Sequence, residues 1–195
     1  MSLYATWGFN ENDTTKVWEH SGNARHSTSA TGLTIVTSDI GKAGRFDGST
    51  TWVQFGNIAD FGGTAGININ IKFKIAALTT THYFCYKNNH IKVYINNVTR
   101  LVTWELYIGG VWVTQSTVSI ISTSTWYKLG LSYDGVNMKM YINAVIDKTT
   151  AVAGNMTASS SNLNMGSYND GASNFLNGDI ETFEIRNAAL TADNI

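Results

Sequence analysis

The chain has 195 residues, of which 43% are apolar and 14% charged, and its net charge is −1; ordinary domains carry about 25% charged residues. So neutral a chain has no field to attract nucleic acid or an anionic membrane, and both are excluded as partners. One cysteine, Cys85, leaves no intrachain disulfide and no cysteine-based metal site. Set between Phe84 and Tyr86, Cys85 reads as a small buried apolar residue. Proline is absent, so turns fall to Gly, Asn and Asp. No apolar run approaches the ~18 residues of a membrane span, and the first residues show no basic-then-apolar signal-peptide pattern.

Residues 4–10 alternate as a strand with Trp7 and Phe9 on one face. Residues 11–31 are polar and carry a turn signal at His20-Ser21-Gly22-Asn23. Short strands are predicted over 33–36 and 41–46, then a turn at Asp47-Gly48-Ser49, then a strand holding Trp52, Val53 and Phe55. After a glycine-marked loop, residues 67–75 alternate Ile-Asn-Ile-Asn-Ile-Lys-Phe-Lys-Ile, the pattern of an antiparallel strand with one buried face. Strands over 82–86 and 90–95 are joined through Asn88-Asn89, and Asn96-Asn97 offers another tight turn.

Residues 103–114 form a hairpin around Gly109-Gly110, and a two-residue loop sets its register. Ile108 then opposes Val111, Tyr107 opposes Trp112, and Leu106 opposes Val113. Trp104, Leu106, Ile108, Val111 and Val113 share the core face; Glu105, Tyr107, Trp112 and Thr114 share the other. Residues 126–133 and 138–143 make a further hairpin around Asp134-Gly135, and 153–162 form a polar loop. The last strands are 163–166 and 178–185, with a helical turn expected at Thr191-Ala192-Asp193. In the final strand Ile180 and Phe183 are three apart, so both can reach one core only across a β-bulge. About a dozen short strands with Gly and Asn turns, without a linker, predict an all-β, two-sheet antiparallel sandwich forming one domain over 1–195.

Five stretches, in this order, resemble the laminin-G-like branch of the concanavalin A-like lectin/glucanase superfamily. They are Trp7-Gly8-Phe9-Asn10-Glu11; Glu19-His20-Ser21-Gly22-Asn23; Gly41 to Ser49 with its Phe46-Asp47-Gly48-Ser49 end; Trp126-Tyr127-Lys128 with Tyr133-Asp134-Gly135 and Tyr141-Ile142-Asn143; and residues 178–190. The resemblance implies a jelly roll. It also implies one structural Ca2+ between the first and last strands, held by Asp47, Glu181 and the carbonyl region of Asn10, with Glu181 standing where the family has Asp. The fold hosts lectins, adhesion domains and hydrolases alike, so function must be read from the site.

Three chemistries are open. Asp179, Glu181 and Glu184 stand at i, i+2 and i+5, the spacing of the superfamily's β-glucanases, although those enzymes place Glu, Asp and Glu in mid-chain. The four histidines show no zinc spacing and are expected at the surface or in loops. Tyr107 and Trp112 beside Glu105 form the less apolar hairpin face, where rings could stack on a sugar and a carboxylate could accept its hydroxyls. Tyr168-Asn169-Asp170 and His82-Tyr83 could also rim a ligand groove. The expected role is therefore non-catalytic carbohydrate recognition on an extracellular, cell-surface or virion component. The alternatives are a structural or adhesive domain binding a surface protein, and a β-glucanase-like hydrolase.

Overall fold

The final strand, β16 (Asn177–Arg186), organises one of two sheets in this computed structural model, which describes residues 3–58, 60–63 and 66–188. On one side β16 pairs with β7 (Ile67–Ile75). On the other it pairs first with β5 (Lys42–Asp47), at Asn177 to Ile180, and then with β1 (Leu3–Gly8), at Thr182 to Arg186. The register slips between Ile180 and Thr182, so Glu181 is the bulged residue, and Ile180 and Phe183 both reach the core fully buried. The bulge falls where the partner changes from β5 to β1.

From one edge this nine-stranded sheet runs β14 (Val145–Ala151), β13 (Asn137–Ile142), β12 (Trp126–Tyr133), β7, β16, β1 and β2 (Trp18–Glu19), with β4 (Thr34–Thr37) beyond β5. The seven-stranded sheet runs β11 (Val111–Ser116), β10 (Val102–Ile108), β9 (Ile91–Ile95), β8 (His82–Lys87), β15 (Asn164–Met165), β6 (Trp52–Gln54) and β3 (Ser29–Thr31). All pairings are antiparallel, and no helix occurs among the described residues. The result is a jelly-roll sandwich in which the strands β1 and β16 pair in one sheet.

Alternation builds the core. Ile67, Ile69, Ile71, Phe73 and Ile75 of β7 point inward, and Phe73 meets Phe84 of the opposite sheet with ring centroids 4.5 Å apart. Trp7 sits between Phe55 (4.6 Å) and Phe183 (5.4 Å), and its indole N–H donates to Arg25 O at 2.7 Å. Burying an apolar side chain of this size contributes about 1.5–3 kcal/mol. Cys85 is fully buried, as its apolar neighbours imply, and burial pushes its thiol pKa up.

Several expectations are corrected. No strand is predicted at β2, β3 or β14, because two or three residues carry no periodicity and β14 mixes Val145, Ile146 and Ala151 with polar residues on a largely exposed edge. The turn after β9 is longer than Asn96-Asn97: Asn96 Oδ1 accepts from the N–H groups of Val98 and Thr99, and Arg100 takes the positive φ. Val111 is 61% exposed, because the core face of β11 runs out at the hairpin end. His82, in β8, and His90, in the β8–β9 turn, are both fully buried rather than at the surface. The His82 ring lies against Ala77 O and Phe175 O; His90 contacts Thr157 O and accepts from Phe61 N. The turn expected at 191–193 lies outside the described residues.

Candidate functional site

Register determines what the seven-stranded sheet shows to solvent. The Gly109-Gly110 turn, with φ of 58° and 85°, sets Tyr107 opposite Trp112 and Leu106 opposite Val113. Leu106 and Trp104 go to the core, so Glu105, Tyr107 and Trp112 go outward. In β9 the sequence Ile91-Lys92-Val93-Tyr94-Ile95 buries its three apolar residues and leaves Lys92 and Tyr94 half-buried on that outer face. Lys92 opposes Glu105, and Tyr94 opposes Thr103 and Tyr83.

Here the hairpin residues meet residues not singled out from sequence. Lys92 Nζ donates to Glu105 Oε2 at 2.7 Å and the Tyr94 hydroxyl donates to Oε1 at 2.9 Å, so both carboxylate oxygens are engaged. The same ammonium lies 3.9 Å from the Trp112 ring centroid, a cation–π contact. Tyr107 and Trp112 pack at 5.0 Å with a 56° tilt, and Tyr83 stacks on Tyr94 at 5.0 Å. Burial, and then the Glu105 bond and charge, push the Tyr94 phenol up to about 12, so it remains a neutral donor at ordinary pH. Lys92 and Tyr94 were legible as the polar half of an alternating strand.

Tyr168 and Asp170 reach this face from the β15–β16 loop. The Tyr168 ring lies 5.1 Å from Tyr83 and 4.6 Å from Tyr86. Asp170 Oδ1 accepts from Asn164 Nδ2 at 2.8 Å and Gln54 Nε2 at 3.2 Å. Gly171 holds the loop down: with φ +78°, its backbone approaches so closely that a Cβ would lie 2.5 Å from Trp52 Cε2. Thus Glu105, Tyr107, Trp112, Tyr168 and Asp170 all belong to one outer face, Asp170 bonding to its β6–β15 side.

The other carboxylates lie on the nine-stranded sheet. Asp179 pairs with Arg45 (2.8 Å) and Lys74 (3.0 Å). Burial raises its pKa, but these cations outweigh burial and hold the carboxyl below its ordinary value. Lys72 bridges Glu181 (3.0 Å) and Asp39 (2.7 Å). Glu184 accepts from Arg186 and from Asn70 Nδ2. All three members of the i, i+2, i+5 set are therefore bound to cations.

The residues considered for calcium are engaged elsewhere. Asp47 Oδ1 accepts from the N–H groups of Ser49, Thr50 and Thr51, each at 2.9 Å, and Oδ2 accepts from the Ser49 and Thr50 hydroxyls. Despite partial burial, these bonds hold the Asp47 carboxyl well below its usual range. Glu181 holds Lys72, and the Asn10 carbonyl accepts from Lys42. Among the described residues no three His, Cys, Asp or Glu side chains form a metal-holding group. The carboxylates of Asp47 and Glu181 thus serve other partners, whereas a calcium ion takes six to eight oxygen ligands around one point.

A laminin-G-type family model of the concanavalin A-like lectin/glucanases superfamily matches residues 47–195. The chain belongs to that superfamily. The match takes in every aromatic residue of the outer face described above. No curated protein sequence matches the chain. Among solved structures, domain 4 of AbnA, an extracellular GH43 arabinanase from Geobacillus stearothermophilus solved with arabinotriose, is similar at 19% identity. Its TM-score is 0.74, over 98% of this chain and 95% of that one. The binding domain of Paraclostridial Mosquitocidal Protein 1 is similar at TM-score 0.78 and 15% identity, and that of botulinum neurotoxin serotype D at 0.75 and 13%. Each toxin match covers 98% of this chain but 50% of the toxin chain. At such identities the likeness shows the shared superfamily fold.

Proposed function

We propose that the chain is a non-catalytic carbohydrate-recognition domain that binds a neutral glycan on the outer face of β8–β11. The observation that carries this reading is the joining of two aromatic groups, Tyr83–Tyr94–Tyr168 and Tyr107–Trp112, by the Glu105–Lys92 pair. Rings offer apolar faces to sugar C–H surfaces, and the polar pair between them offers donors and acceptors. Because Glu105 and Lys92 cancel each other's charge, the centre of the tract suits an uncharged ligand. Two structural relatives support the sugar reading by their descriptions: the arabinanase domain holds arabinotriose, and a type C botulinum neurotoxin depends on ganglioside molecules for cell entry. Glycan recognition of this kind suits an extracellular, cell-surface or virion component.

Hydrolysis is not favoured. A general acid needs a carboxyl with a raised pKa, whereas Asp179 is lowered and Glu181 and Glu184 are held by cations. The protein-binding alternative is favoured by one observation at the β14 edge. Val118, Ile120, Val145 and Ile146 are 67%, 63%, 68% and 55% exposed, and the N–H groups of Val118 and Ser119 tie their loop to Asp147. Affinity electrophoresis through a panel of neutral polysaccharides tests the glycan reading. At least one gel should retard the chain, and Trp112→Ala should migrate freely in it. Equal retardation of Trp112→Ala excludes this face; a uniform lack of retardation, with self-association in sedimentation, favours the protein-binding alternative.

A further inference from the structure

The aromatic face of the seven-stranded sheet has a direction, and register supplies it. Tyr83 opposes Tyr94, Tyr94 opposes Thr103, and Thr103 opposes Ser116, one row across four strands. The next row in the same alternation is Tyr86, Lys92, Glu105 and Thr114. In the row after that Tyr107 opposes Trp112, and the Tyr107 N–H donates to His90 O beside it. The two ring groups therefore do not share a row. One lies on β8–β9 in the first row and the other on β10–β11 in the third, with Lys92 and Glu105 on the diagonal between them.

That diagonal is long. From Tyr94 to Trp112 it crosses two strand spacings of about 4.8 Å and about four residues of ~3.4 Å each, roughly 17 Å between backbone positions. Tyr168 extends it beyond Tyr83, with the two ring centroids 5.1 Å apart. A single sugar ring covers only one end of such a band. The Trp112 end is open: beyond it lies the Gly109-Gly110 turn, which has no side chain, and a Cβ added at either glycine meets no described atom within 4 Å. On the β11 flank Thr114 is exposed and Ser116 half-buried, small side chains that raise no wall.

Resting on the glycan reading above, the geometry points to the class of glycan: a linear, uncharged polysaccharide bound along an internal stretch of several sugar units, not by a terminal sugar. The stretch lies on Tyr168, Tyr83 and Tyr94 and crosses the Lys92–Glu105 pair, whose remaining N–H groups and lone pairs serve the sugar hydroxyls. It then lies on Tyr107 and Trp112 and leaves over Gly109-Gly110. Recognition of a chain terminus needs a closed end, which the glycine turn does not provide. Once one ring group holds the glycan, engagement of the other is intramolecular, so affinity rises when the glycan becomes long enough to span both.

The test is calorimetric titration of the whole chain with the mono- to hexasaccharides cut from the polysaccharide that most retards it, and with that polysaccharide intact. Affinity should rise at least tenfold from the disaccharide to the hexasaccharide, and the intact polymer should take up many copies of the chain per molecule. Tyr168→Ala, at the end of the band away from Trp112, should weaken the hexasaccharide at least threefold. A disaccharide as tight as the hexasaccharide overturns the proposal. So does a stoichiometry of one copy per polymer end, or an unchanged hexasaccharide affinity in Tyr168→Ala. In each of these cases the glycan face itself stands if Trp112→Ala still loses binding. If no polysaccharide retards the chain, the glycan reading fails and this inference falls with it.

Discussion

The two outer faces of the sandwich solve the same problem by different means. Both present polar residues at every second position. On the nine-stranded sheet those residues are Lys72, Lys74, Asp179 and Glu184, cross-linked between strands and to Arg45 and Asp39, and Asp179 is only 2% exposed. On the seven-stranded sheet they are Tyr83, Tyr94, Tyr107 and Trp112, half-buried around a single ion pair. Paired charge in which one partner is buried, as Asp179 and Lys72 are, loses stability when the other is removed. Half-exposed rings contribute less to folding and leave apolar faces for a ligand. The comparison assigns cohesion to one sheet and recognition to the other.

The largest effect should come from Lys72→Met. It leaves Glu181 and Asp39 without their shared cation, and one broken buried pair costs about 3–5 kcal/mol; urea denaturation reads the loss directly. A cost below ~1 kcal/mol would show that this face is well solvated. Gly171→Ala comes next, at about 1–3 kcal/mol, because the new Cβ meets Trp52 at a strained φ. Lifting this loop should also move the Tyr168 side-chain resonances, sharpening its role as the wall of the seven-stranded face.

An acid titration separates the faces further. Asp47 and Asp179 have lowered carboxyl pKa values when folded. Their contribution is present above the unfolded value of about 3.9 and disappears as pH falls through the folded values. Thermal melts should therefore weaken below pH ~4, and Asp47→Asn should make that acid limb shallower. The smallest effect should be that of chelation: with Asp47 and Glu181 engaged elsewhere, EDTA and added calcium should give the same melting temperature. A calcium-dependent rise would return a metal to the β1–β16 region.

Much of this was legible in the residues. Perfect alternation in 67–75 defined a strand and its two faces, the three-residue spacing of Ile180 and Phe183 required a bulge, and Gly109-Gly110 set a hairpin register. What was not legible depends on partners distant in sequence. Nothing local marks Asp179 as buried, because its burial depends on Arg45 and Lys74 across two strand pairings. The burial of His82 and His90 was not legible because their partners are backbone groups, including Phe175 O and Thr157 O, from remote segments. The hairpin aromatics and Tyr83 could be read from sequence, but their joining through Tyr94 needed the β8–β9–β10 pairing.

The most direct measurement is a side-by-side calorimetric titration of the wild type, Trp112→Ala and Trp126→Ala with a neutral polysaccharide that retards the chain. Recognition by the seven-stranded sheet predicts that Trp112→Ala loses at least tenfold in affinity while Trp126→Ala stays within about twofold, a difference of more than about 1 kcal/mol. If Trp126→Ala shows the loss and Trp112→Ala binds normally, the roles assigned to the two faces are reversed and the account fails.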